Sequence, residues 1–130
     1  MSNQNAQNAS RIIDDLTEAI NKGNLNAAVA LYESDAVLVT QPGTVARGKD
    51  QIREALKGFI SLEPVLTSES RELVETETIV LYCSKWRLRG TSPDGKSVEM
   101  TGISSDVLRR QPGGKWLIAI DNPWGAAIVR

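Results

Sequence analysis

Hydrophobic residues change their spacing halfway along this chain, and the change predicts helices first and strands afterwards. From about Ser10, apolar residues fall at Ile12, Ile13, Leu16 and Ile20, the stripe that an amphipathic helix buries. Gly23-Asn24 is a stop signal. A second, short helix is expected from Leu25, Ala28, Val29 and Tyr32, which recur at helical offsets. The run DAVLV (Asp35 to Val39) is β-branched and too short for a helix, so it reads as a strand. Pro42-Gly43 turns the chain. A third helix after Gly48 carries Ile52, Ala55, Leu56, Phe59 and Ile60.

Beyond Pro64 the period becomes two. Glu72 to Arg89 reads as two strands joined at Glu75-Thr76-Glu77, with Val80, Tyr82, Ser84, Trp86 and Leu88 on one face of the second. Ser92-Pro93-Asp94-Gly95 and Pro112-Gly113-Gly114 are turn signals. They bound a strand from Val98 to Arg110 and precede a last one from Trp116 to Asp121. Helices followed by antiparallel hairpins make an α+β domain. The long sheet has only the three helices to cover its apolar face, and a sheet curved around them leaves a cone-shaped cavity. Residues 1–9, rich in Asn and Gln, read as a flexible tail, and residues 10–130 as a single domain.

Composition narrows the chemistry. The chain has 130 residues, one cysteine and no histidine. Without histidine there is no Ser-His-Asp or Cys-His nucleophile and no imidazole acid, base or metal ligand. Carboxylates, hydroxyls, lysines and arginines remain. With 15 Lys plus Arg against 16 Asp plus Glu the net charge is −1, which offers nothing to nucleic acid or to an anionic membrane. The N-terminus lacks a signal peptide's apolar core and no stretch is long enough to span a bilayer, so a cytoplasmic location is expected. Lone Cys83 forms no intrachain disulfide. The acidic residues between 69 and 77 lack metal-loop spacing, and neither a metal nor a cofactor is expected.

The segments LYESDAVLVTQPGTVARGKDQIREAL and SSDVLRRQPGGKWLIAIDNPWG resemble the SnoaL-like proteins of the nuclear-transport-factor-2-like (cystatin-like α+β) superfamily, and the likeness covers nearly all the chain after residue 10. The resemblance implies a cone-shaped domain with a pocket between sheet and helices, and a homodimer formed through the outer sheet face. Outward residues such as Thr101 and Ser105 suit that face. The superfamily holds ketosteroid isomerases, polyketide cyclases, dehydratases, epoxide hydrolases and binding modules without catalysis, so the fold leaves the activity open.

The resemblance also sorts the candidate residues. Asp106 matches the protonated aspartic acid of the ketosteroid isomerases. Leu16 stands where their tyrosine would be, and Thr40 where their base would be, which argues against that chemistry. Asp121 resembles the second carboxylate of the limonene-type epoxide hydrolases, but Lys85-Trp86-Arg87 lacks their Arg and Asp pair. Asp106 and Asp121 are therefore the candidate acid/base pair. Met100, Gly102 and Ser104 share the face of Asp106, and Asp121 ends an otherwise apolar strand, where a carboxyl holds its proton more tightly. Each aspartate has a structural alternative: Asp106 in a salt bridge with Arg87, Arg109 or Arg110, and Asp121 capping the IDNPWG turn. Thr40, Tyr82, Ser84 and Ser104 would offer hydroxyls to a ligand, and Leu16 and Trp86 would pack against it. The expected ligand is a small apolar organic molecule in a cavity of roughly 300 Å³ or more. The expected activity is a cofactor-free isomerisation, cyclisation or dehydration; the alternative is a non-catalytic binding or dimerisation module.

Overall fold

A computed structural model describes residues 3–129. Three helices cover one face of a curled, open six-stranded sheet, giving the α+β cone. Helix α1 (Asn3–Lys22) buries Ala9, Ile13, Leu16, Ala19 and Ile20. It closes with a Schellman turn: Gly23, at φ +72°, donates to Ile20 O and Asn24 to Ala19 O. Asn24 then caps α2 (Leu25–Val29) by accepting from the Ala27 amide at 3.1 Å. Helix α3 (Gly48–Ile60) turns Ile52 and Leu56 into the core.

Two boundaries differ from the sequence reading. Helix α1 begins at Asn3, so residues 3–9 of the expected tail are helical, while 1 and 2 lie outside the described residues. The reason is tertiary. The Glu75 carboxylate accepts from the Ala6 amide at 3.0 Å, and Asn5 donates to the carbonyls of Thr76 and Glu77. An otherwise weak helix start thus gains partners for its free amides. Tyr32 belongs to strand β1 (Tyr32–Gln41) rather than to the second helix, which stops at Val29.

A short strand β2 (Thr44–Arg47) pairs with β1 in a hairpin; four residues carry too little alternation to announce it. Strands β3 (Val65–Glu75), β4 (Ile79–Thr91) and β5 (Ser97–Arg110) form a long antiparallel meander, and β6 (Trp116–Asp121) returns between β5 and β1. The order is β2-β1-β6-β5-β4-β3, and only β1 and β6 run parallel. A short 3₁₀ helix, Gly125–Ile128, ends the described chain. No helix among the described residues is long and apolar enough to cross a membrane.

Candidate functional site

Strict alternation along β4 and β5 builds one wall of a cavity. Their inward residues face each other in pairs: Val80 with Leu108, Tyr82 with Asp106, Ser84 with Ser104, Trp86 with Gly102, and Leu88 with Met100. Asp106, Ser84 and Ser104 form the polar end of the cavity wall and Trp86, Leu88 and Met100 its apolar continuation, while Val80, Leu108 and Tyr82 pack in the core. Helix α1 covers the wall with Ile13, Leu16, Thr17 and Ile20, and α3 adds Leu56 and Phe59. The cavity between them is partly open and holds about 110 Å³. That is smaller than expected, and of the order of the ~150 Å³ apolar cavity that takes up benzene.

Asp121 reaches this cavity because β6 breaks its alternation. Trp116 and Ile118 point inward, so an unbroken strand would turn Ile120 in and Asp121 out. Instead Val107 pairs with Ile120 and Leu108 with Ile118, leaving Ala119 as an extra residue. This bulge shifts the phase. Ile120 is exposed, and Asp121 lines the cavity beside Asp106.

The two carboxyl groups lie within hydrogen-bonding reach of each other. Asp106 is 5% exposed. Burial, then the charge of Asp121, pushes its pKa well above the usual carboxylate range, opposed by the Asn122 amide, which donates to Oδ1 at 2.7 Å. Asp121 is also raised by burial, but the Tyr32 hydroxyl, donating to Oδ2 at 2.5 Å, and then Asp106 pull it back. Two adjacent buried carboxylates do not both ionise.

Neither structural alternative for the aspartates is occupied. Among the described residues Arg109 pairs with Glu33 at 2.9 Å and Arg87 with Glu69 at 3.8 Å, and no salt bridge includes Asp106 or Asp121. The turn after β6 is organised by Asn122, whose side chain donates to Gly125 O and accepts from the Trp124 amide. That leaves the Asp121 carboxyl free of capping duty. Trp86 Nε1 donates to Pro123 O at 2.7 Å, and its ring meets Trp124 edge-on with centroids 5.5 Å apart. Gly102 makes room for this. A Cβ there would lie 2.8 Å from the Trp86 ring and 2.9 Å from Pro123 O.

Six of the eight residues singled out from sequence line the cavity: Leu16, Ser84, Trp86, Ser104, Asp106 and Asp121. Thr40 does not. The β1–β2 pairing is irregular between Val39 and Gln41, and the Thr40 hydroxyl donates to Thr44 O at 3.2 Å within that hairpin. Tyr82 does not line it either. Its ring is sealed in the core across from Asp106, and its hydroxyl, though near the Arg71 guanidinium, makes no hydrogen bond. Sequence reasoning missed Tyr32, whose helical offset from Leu25 concealed its place at the head of a strand. It also missed Asn122, although the Asn-Pro pair marked the turn. No cluster of three or more Cys, Asp or Glu among the described residues is placed to hold a metal.

The SnoaL-like domain model matches residues 13–117. No curated protein matches the sequence. Among solved structures, a nuclear transport factor 2-like superfamily protein from Salmonella enterica serovar Typhimurium superposes with a TM-score of 0.86 at 17% identity, covering 96% of this chain and 93% of its own. A ketosteroid isomerase-like protein from Erwinia carotovora atroseptica superposes with a TM-score of 0.78 at 21% identity, covering 92% and 94%. At these identities the likeness is one of fold.

Proposed function

Because this chain belongs to the SnoaL-like domain family, whose fold hosts varied chemistry, we propose that its cavity binds a small, uncharged, largely apolar organic molecule and that Asp106 and Asp121 move protons on it. One observation carries this reading: two carboxyl groups share the polar end of a single apolar cavity, and neither is spent on a salt bridge. Asp121, as carboxylate, takes a proton from carbon or oxygen of the ligand. Asp106, as acid, gives its proton to an oxygen of the same molecule. Isomerisation needs those two transfers alone; dehydration adds loss of the protonated hydroxyl as water. No cofactor enters either scheme. Apolar walls from α1, α3 and the two tryptophans would hold the ligand, and the cavity's size favours a compound of about one ring.

A thermal-shift screen of uncharged monocyclic carbonyl and hydroxy compounds tests it. Wild type is expected to gain several degrees with a binding compound, and Asp106→Asn with Asp121→Asn to lose that gain. Stabilisation that survives both changes would mark binding without carboxylate chemistry, the non-catalytic alternative.

We also propose that the chain pairs with a second copy through the outer sheet face. In support, Val37, Ile120, Val107, Leu81 and Val74 stand side by side across five strands, with Ile103 also exposed nearby.

A further inference from the structure

Tyr32 stands behind the carboxyl pair. It is wholly buried in the core, outside the cavity lining, and its hydroxyl donates to Asp121 Oδ2 at 2.5 Å. We infer that Tyr32 is a positioning residue that holds Asp121 as the carboxylate of the pair and thereby leaves the shared proton on Asp106. The inference rests on reading the two aspartates as the reactive groups of the cavity, and it adds which of them is base, which is acid, and what decides it.

The geometry is asymmetric. The Tyr32 hydroxyl has Asp121 as its one hydrogen-bond partner, and a buried hydroxyl left unpaired is unfavourable. Burial and the neighbouring Asp121 and Asp106 also hold Tyr32 protonated well beyond the ordinary tyrosine range, so it remains a donor. A donor in that place favours a charged acceptor. Asp106 Oδ1 accepts from the Asn122 backbone amide at 2.7 Å, and the Ser104 hydroxyl also favours its charged form, but no phenol donates to it as Tyr32 does to Asp121. The cross-strand neighbour of Asp106, Tyr82, offers no hydrogen bond. The helices above the pair present Ile13, Leu16, Thr17 and Ile20 from α1 and Leu56 and Phe59 from α3, none of them titratable, and no Lys or Arg lines the cavity among the described residues. The ionisable side chains beside the pair are therefore the two phenols, Tyr32 from β1 and Tyr82 from β4.

Carbon-13 NMR of the aspartate carboxyls in the full chain reads the assignment directly. Wild type is expected to show Asp121 ionised and Asp106 neutral near neutral pH. Tyr32→Phe keeps the ring and removes the hydroxyl. It is expected to raise the Asp121 midpoint by about one pH unit or more, a tenfold weaker acid. An unchanged midpoint, or Asp106 found as the carboxylate in wild type, overturns the inference. Should the variant fail to fold, wild type supplies a second readout. The buried Tyr32 hydroxyl proton should exchange slowly and move with the Asp121 titration, and a signal indifferent to pH overturns the inference too. Neither readout needs a ligand. A shifted titration with no binding compound keeps the proton assignment and removes the ligand reading, and a binding compound with an unshifted titration does the reverse.

Discussion

Asp106 binds its proton more tightly in the folded protein than in the unfolded chain, and this gives its stability contribution a definite sign. An unfolded aspartate ionises near pH 3.9, roughly. Folded Asp106, its pKa raised by burial and by Asp121, stays protonated above that. The folded state then binds the extra proton, so this residue's contribution falls as pH rises through the interval between the two values. Asp106→Asn copies the neutral form and still accepts from the Asn122 amide. Relative to wild type it should gain stability as pH rises above about 4, by up to ~1.4 kcal/mol per pH unit until folded Asp106 ionises. Urea unfolding at several pH values measures the difference; a flat difference would mean that Asp106 ionises as in the unfolded chain. Both aspartates were legible as candidates through the family resemblance, and Asp121 also because it ends an apolar strand. Tyr32 was not, since its role comes from a partner 89 residues away.

Elements aim the side chains, and here irregularities aim them more than regular strands do. The extra residue Ala119 turns Asp121 inward. No composition signal marks it, because WLIA is apolar throughout and would suit either phase. The turn after β6 is held by Asn122 and packed on β5 through Gly125, whose φ is +55°. A Cβ on Gly125 would collide with the Ile103 carbonyl oxygen. Gly125→Ala should therefore destabilise the fold by about 1–3 kcal/mol and loosen Trp124 from Trp86. Thermal unfolding followed by tryptophan fluorescence checks both. An alanine variant as stable as wild type would show that the 3₁₀ segment does not press on β5. The helices and long hairpins were readable in advance because period and turn residues are local properties. Strand β2 and the first turn of α1 were not, because pairing with β1 and with the β3–β4 turn creates them.

For the whole molecule, the two faces of the sheet have different fates. The inner face is covered by helices, and the outer one carries an uncovered apolar row. Sedimentation at micromolar concentration is expected to give a dimer, and Leu81→Lys with Val74→Lys a folded monomer. A single 14 kDa species from wild type would sink the pairing proposal. By itself the sequence determined the α+β class, the order of the elements and the absence of imidazole chemistry. These follow from periodicity, turn chemistry and residue type, which the chain carries locally. Only the tertiary structure decided that the carboxyls meet, that Thr40 and Tyr82 stand apart from the cavity, and that Tyr32 holds Asp121. Those outcomes depend on a bulge in β6 and on β6 entering the sheet between β5 and β1. Strand order and register arise from the packing of distant segments, and no local pattern encodes them.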